Sequence, residues 1–412
     1  MSALPLSDVK VLDLTRLLPG GFCSLLLADF GAEVLKVEDT GKGDYIRWAP
    51  PYYGSEAQQG LGTRSALYLS LNRGKRSIRL DLKSEEGRAA FLRLVESYDV
   101  VLDGFRPGVL DRLGVGYERL REANPAVVVC AITGYGQTGP NTQRAGHDMN
   151  YLGLNGLLGL TGEPDGRPTQ SAGQIADLGG GALMAAFGVM AALRERERSG
   201  EGQQVDVSMT DGSLAWLAMV AAQYLCDGEV PQRGRGSLNG GIACYLPYEA
   251  SDGWVTCGAL EPKFWRNFCE GVSRPDLIEK QFAAPGSEDG QAIAAVFKER
   301  TRDEWLAFNN EHDAMIEPVL ELDEALESRL VTEREMVVEM KQPELGPVRL
   351  LGLPIKLDRT PGDATRPAPA LGEHTAEVLG EAGFSEDEVT ALLESGAAAG
   401  LNADAEATRF MA

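Results

Sequence analysis

Residues 9–38 read VKVLDLTRLLPGGFCSLLLADFGAEVLKVE. The ends, VKVLDL and AEVLKVE, are short apolar runs rich in Val and Leu, and the middle, PGGFCSLLLADFG, is a longer apolar stretch that stops at Gly31. Short apolar runs bounded by turn signals read as buried strands, and a longer one closed by glycine reads as a helix. Strand, helix and strand in this order make a βαβ unit. The pattern recurs in SIRLDL, SEEGRAAFLRLVESY and DVVLDGF, again in GYERLREANP and AVVVCAITG, and GQQVDVSM alternates like a further strand. Strands alternating with helices imply a parallel sheet covered on both faces, so the expected fold class is α/β with a Rossmann-like large domain.

At 412 residues the chain is long enough for two or more domains and for a large core. Its net charge of −22 argues against nucleic acid and anionic membrane surfaces as partners, so an anionic ligand would need locally gathered positive groups. The six cysteines contain no C-x-x-C pair, and with three histidines no zinc spacing appears. Reduced thiols in a cytoplasmic protein with no bound metal are expected. Asp8, Asp13 and Arg16 interrupt the N-terminal stretch, which does not read as a signal peptide. The longest apolar run, Leu178–Leu193, is short for a membrane span and rich in Gly and Ala, and so reads as a buried helix.

The texture changes near Pro231. CYLPYEASDGWVTCGAL reads as an antiparallel hairpin with Asp252-Gly253 in its turn. A helix opening on the capping box Thr301–Glu304 follows, and a second box, Ser385–Glu388, opens a helix near the end. The expected organisation is a large domain over 1–212, a linker over 213–230 and a smaller α+β domain over 231–325. A second linker follows over 326–350, then a return to the large domain over 351–396 and a loose tail over 397–412. The loop-rich aromatic insertion near 43–72 is expected to line something.

The stretch GYGQTGPNTQRAGHDMNYLG, residues 134–153, begins with Gly134, Gly136 and Gly139 in G-x-G-x-x-G spacing. A dinucleotide fingerprint needs a strand before the glycines and a helix opening among them. The strand is present, but PNTQRAG has no helical period, so the glycines read as a tight turn. His147 reads as a structural residue or a proton-transfer group. Asp177, ahead of a Gly/Ala helix, reads as an N-cap carboxylate in the positive field of a helix start, with Gly179, Gly180 and Gly181 leaving N–H groups open to a ligand. Glu261, after a strand and before Pro262, reads as a helix-start carboxylate.

Residues 9–38, GKRSIRLDLK, FRPGVLDRLGVG, ITGYGQTGP, AGHDMNYLGLNG, IADLGGGALMAAFGVMAALRERERSGEGQ and LGEHTAEVL together resemble class III CoA-transferases (the CaiB/BaiF type), from about residue 8 to residue 396. The resemblance implies the family III fold, an interlocked homodimer, an acyl-CoA substrate and no cofactor beyond coenzyme A. Transferases of the family use an Asp matching Asp177 as a nucleophile. α-Methylacyl-CoA racemases pair the matching Asp with a His in G-H-D-x-N-Y and a Glu in G-A-[IL]-E-P, and here these motifs are Gly146-His147-Asp148-Met149-Asn150-Tyr151 and Gly258-Ala259-Leu260-Glu261-Pro262. The resemblance therefore implies a racemase-like branch with His147, Asp177 and Glu261 as catalytic residues. His147 and Asp177 would exchange the α-proton from opposite faces, and Glu261 would orient His147. Histidine as a residue type titrates near neutrality, and partial burial should let Asp177 hold a proton. The N–H of Asp148 would hold the enolate oxygen, with Gly146, Met149, Asn150 and Tyr151 lining the thioester pocket. Lys75, Arg76, Lys83 and Arg106 are the candidate cations for CoA, and the backbone of Leu80, Asp81 and Leu82 would hold the adenine. Asp39 stands where racemases often carry an Arg for the CoA phosphate, and Gly173 where they tend to have Asn.

Overall fold

A computed structural model of the chain describes residues 4–54 and 63–401. Part of the 43–72 insertion and most of the 397–412 tail lie outside those residues. The chain divides into two compact units, one formed by 1–155, 173–216 and 329–412, the other by 156–172 and 217–328.

The first unit is built on a seven-stranded sheet. Its strands are β1 (Lys10–Asp13), β2 (Glu33–Glu38), β3 (Arg76–Leu80), β4 (Val100–Asp103), β5 (Val128–Thr133), β6 (Gln204–Ser208) and, far along the chain, β12 (Ala398–Ala399), in the order β12-β3-β2-β1-β4-β5-β6. All neighbours run parallel except β12, which pairs antiparallel with β3. Successive residues of a strand face opposite sides, and here both sides are buried. Val11, Val34, Val100 and Val128 enter one core beside Cys23, Ala185 and Val189. Their neighbours Leu12, Leu35, Val101 and Val129 enter the other beside Phe91 and Leu94. That double burial is why the central strands are mainly apolar, although Asp13, Lys36 and Glu38 stand on them as buried charges. Helix Leu17–Asp29 closes the first crossover, and Gly31 takes φ 104°, a backbone state open to glycine.

Charge is also buried under this sheet. Lys36 pairs with Asp44 at 2.9 Å, Arg47 with Glu38 at 2.6 Å and Lys75 with Asp13 at 3.4 Å, all six side chains being shielded from solvent. The first two pairs tie the start of the insertion onto β2. Residues 337–351, given above largely to a linker, form an antiparallel hairpin of β10 (Val337–Gln342) and β11 (Gly346–Leu351). Met340, Val348 and Leu350 turn inward against Ile46, Tyr68 and Leu69. The tail is anchored at its start: Ala398 lies opposite Leu80, and the Asp81 N–H donates to the Ala397 carbonyl at 2.8 Å. An open parallel edge offers unpaired backbone groups, and β12 covers them.

The second unit holds a three-stranded antiparallel sheet, β7 (Tyr245–Ala250), β8 (Gly253–Gly258) and β9 (Ile316–Pro318), in that order. Its core is aromatic, with Tyr248 stacked on Phe297 at 4.1 Å and Trp265, Phe268, Trp305 and Phe308 around them. The capping boxes Thr301–Glu304 and Ser385–Glu388 form as the sequence suggests, the latter in the first unit. Residues 218–227, read as linker, are a helix of the second unit, Ala218–Asp227, which also takes in 156–172. This helix keeps no buried face among the described residues.

Candidate active site

The site grows from the carboxyl end of β5. There the chain turns through Gly134–Gly139, with Gly136 at φ 81° and Gly139 at φ 94°. The Gly136 N–H donates to Thr133 Oγ1 at 3.1 Å, and the Gln137 N–H to both oxygens of Asp206, at 3.1 and 3.0 Å. These N–H groups are spent within the protein, and no helix opens among the glycines, so the loop is a turn and not a phosphate cradle. Gly134 and Gly146 make room for Tyr151: a Cβ at either would sit 2.5 or 2.6 Å from Tyr151 Cε1. Tyr151 in turn donates to the Gly146 carbonyl at 2.5 Å and meets Tyr135 edge-on at 5.2 Å. The residue before His147 is thereby pinned.

His147 is exposed and begins helix Asp148–Leu154, its own N–H donating to Asn150 Oδ1 at 3.0 Å. Met149 and Asn150 are exposed, and Asp148 is buried, with 4% of its surface accessible. The Asp148 carboxylate accepts the N–H of Ala176 at 2.6 Å and of Asp177 at 3.0 Å. One carboxylate thus caps the start of the helix that carries the next.

Asp177 lies in the first turn of a 25-residue helix, Ile175–Ser199, whose opening stretch Ile175–Leu183 is wound in wide, π-type turns. Such turns are rare and recur at functional sites. Burial, then the negative charge of Asp148, push the Asp177 carboxyl up to about 6, against an opposing pull from His147. Near neutrality this carboxyl is available in both protonation states. The glycines after it do not offer N–H groups to a ligand, as the sequence suggested. They are buried, and a Cβ on Gly180 would stand 2.7 Å from the Met209 carbonyl oxygen and the Ser213 nitrogen. Gly180 and Gly181 let helix Met209–Leu214 approach closely, and Gly179 makes room for the Trp216 ring. By length and composition the helix Ile175–Ser199 could cross a membrane. Here Ala182, Ala185, Val189, Ala192 and Leu193 pack on the sheet.

The candidate CoA cations separate. Arg106, in the turn after β4, is exposed, has no ion-pair partner among the described residues, and its charge reaches Tyr151. Lys83 is exposed. Arg76 is engaged by Glu381, Glu377 and Glu33, at 2.8, 3.1 and 3.4 Å. Lys75 is buried, its Nζ held by Ser24 Oγ at 2.7 Å, Asn72 Oδ1 at 2.9 Å, the Gly21 carbonyl at 3.1 Å and Asp13. Burial draws its ammonium down to about 8 despite the attraction of Asp13. No donor of Lys75 is left for a phosphate, so it is a structural charge and not the ligand residue the basic run suggested. In the adenine candidate, Leu80 and Asp81 already pair with the tail strand and Leu82 is half-buried. Arg16, which the sequence reading left aside, pairs with Asp39 at 2.8 Å and lies over the Phe105 ring.

Glu261 belongs to the second unit. It is exposed and extended (φ −75°, ψ 137°), immediately before helix Pro262–Gly271. The role that sequence reasoning missed is that of the Asp148 side chain, whose partners stand 28 and 29 residues further on.

The family model for CoA-transferase family III matches residues 6–375. Succinyl-CoA:mesaconate CoA-transferase of Haloarcula hispanica is 38% identical over 92% of this chain and 96% of its own. Mouse α-methylacyl-CoA racemase is 35% identical over 94% of this chain and 96% of its own. Among solved structures, a CaiB/BaiF family protein from Brucella suis superposes with a TM-score of 0.79 at 32% identity, over 92% of this chain and 100% of that one.

Proposed function

The chain belongs to CoA-transferase family III, and from that premise we propose that it epimerises the α-carbon of 2-methylacyl-CoA thioesters by two-base proton transfer. The observation that carries this reading is the joining of His147 to Asp177: the residue after His147 holds the backbone of Asp177, and the His147 charge reaches the Asp177 carboxyl.

A thioester makes its α-hydrogen acidic, but removal needs a positioned base, and inversion needs a protonated group on the opposite face. With one substrate hand, ionised Asp177 takes the α-proton while His147 gives one to the other face; with the other hand the roles exchange. A carboxyl pushed up to about 6 suits both roles, because it ionises below neutrality yet holds a proton at modest cost. The intermediate enolate carries its charge on the thioester oxygen, for which the Asp148 N–H is the proposed donor. Glu261 is kept as the third catalytic residue. Arg106 is the first choice of cation for the CoA phosphates, with Lys83 second; both are exposed. We take the working form to be a homodimer. An apolar strip on helix Ile175–Ser199, formed by Leu183, Met184, Met190 and the 75% exposed Phe187, supports a second copy as its cover.

The second reading is CoA transfer between an acyl-CoA and a carboxylic acid, with Asp177 as nucleophile. The 38% identical relative that is named a CoA-transferase favours it. The two readings part at covalent chemistry. Incubation with acyl-CoA and hydroxylamine, followed by mass spectrometry of the peptide containing Asp177, leaves that residue unmodified under proton transfer. Conversion of Asp177 to a hydroxamate overturns the proton-transfer reading in favour of transfer.

A further inference from the structure

Three residues separate naturally at this site: His147, exposed; Asp148, buried; and Asp177, in the opening turn of its helix. The four N–H groups at a helix start have no partner in the helix and must be satisfied from outside. Gln174, in the capping position here, makes no side-chain cap. The cap comes instead from Asp148, in a different helix, through two N–H···O bonds. A buried carboxylate with two such donors is firmly held. It also stands as a like charge beside the one carboxyl on which the proposed chemistry depends.

We propose that the Asp148 side chain is a positioning residue: its carboxylate, clamped on the N–H groups of Ala176 and Asp177, sets the place of Asp177 and keeps a fixed negative charge beside it. This rests on the proton-transfer reading only for the use to which Asp177 is put. The charged groups whose fields reach Asp177 are Asp148 and His147, and Asp177 in turn acts on the Tyr151 hydroxyl. The other elements packed on this stretch bring groups that are engaged or turned elsewhere. Asp29 is held by Arg73, Asp206 by the Gln137 N–H, Cys23 is buried in the sheet core, and Asp211 is exposed. Asp148 therefore joins the two catalytic side chains mechanically, through its own backbone to His147 and through its carboxylate to Asp177. A like charge nearby raises a carboxyl pKa, so the same residue keeps Asp177 able to carry a proton near neutrality.

Two variants separate place from charge. Asp148→Asn keeps an oxygen that can accept the two N–H groups and removes the charge; Asp148→Ala removes both. The readout is substrate-free: the titration midpoint of Asp177 by 13C NMR of carboxyl-labelled protein, identified by its loss in Asp177→Asn, together with hydrogen exchange of the Ala176 and Asp177 amides. In Asp148→Asn the midpoint is expected to fall from about 6 by roughly one pH unit, with both amides still protected. In Asp148→Ala amide exchange is expected to rise at least about tenfold, and kcat to fall by up to about a hundredfold with a smaller change in KM. An unmoved midpoint in folded Asp148→Asn overturns the proposal, as does undiminished protection in Asp148→Ala. If Asp148→Ala does not fold, the Asn variant decides alone. Because the midpoint needs no substrate, a wild-type protein that exchanges no α-proton would defeat the epimerase reading and leave this test standing.

Discussion

Gly180→Ala tests whether close packing, and not an open N–H array, is what the glycines after Asp177 provide. The added Cβ would lie 2.7 Å from the Met209 carbonyl oxygen and the Ser213 nitrogen. Both are backbone atoms that cannot rotate away. Ordinary contact begins at 3.4 Å, so the two helices must part by about 0.7 Å. Overpacking of this kind costs about 1–3 kcal/mol, which for a unit of this size lowers Tm by roughly 2–12 °C. Asp177 is three residues from the intrusion, in the same wide-turned stretch, and a displacement near 1 Å at a catalytic group can cost about a hundredfold in rate. A roughly ten- to hundredfold fall in kcat is expected, beside a modest fall in Tm. Gly380→Ala is the control: it faces open space in helix Thr375–Glu381 and should leave kcat alone while adding up to about 1 kcal/mol of stability. Differential scanning calorimetry and steady-state kinetics on both variants suffice. Gly180→Ala with the Tm and kcat of the wild type would refute the packing argument.

Three further outcomes are expected. Arg47 and then Lys36, against the upward push of burial, hold the Glu38 carboxyl down at about 2. Its stabilising share, about 3 kcal/mol at neutral pH, is present above about pH 4.5 and is lost as pH falls through 2; urea melts of Glu38→Gln against pH should lack that step and show a stability lower by about 3–5 kcal/mol at pH 7. Lys75→Met should destabilise by a few kcal/mol, because the buried Gly21 carbonyl and Asn72 Oδ1 lose their donor and Asp13 loses one of its two neighbouring ammonium groups, without changing KM for acyl-CoA, whereas Arg106→Ala should raise KM and leave Tm in place. Asp177→Asn should lower α-proton exchange by about 10²–10⁴-fold with little change in acyl-CoA binding measured by calorimetry.

The strands of the first unit were legible because alternate residues enter two buried cores, which makes most positions of the central strands apolar. The turn after β5 was legible for the same local reason: no helical period follows Gly139. What stayed hidden depends on distant partners. Lys75 sits in a basic run that reads as a ligand face, yet its ammonium is claimed by Asp13, 62 residues earlier in the chain. In β10 and β11 Glu339, Lys341 and Arg349 keep the outward polar alternation, but polar Gln342 turns inward and apolar Leu351 outward, which breaks the strand pattern at the ends. Asp148 was visible as a neighbour of His147, but its carboxylate finds its partners a helix away. His147, Asp177 and Glu261 were legible only as residue types in motifs, since composition and period say nothing of proton transfer.

The most direct measurement is incubation with a single epimer of a 2-methylacyl-CoA in deuterated water, without any acceptor acid, followed by NMR at the α-position. Under two-base proton transfer the α-carbon gains deuterium as the epimers interconvert, and His147→Ala abolishes the inversion. Absence of exchange, with CoA moving to a carboxylic acid once one is added, would contradict the proposed epimerisation and make Asp177 a nucleophile.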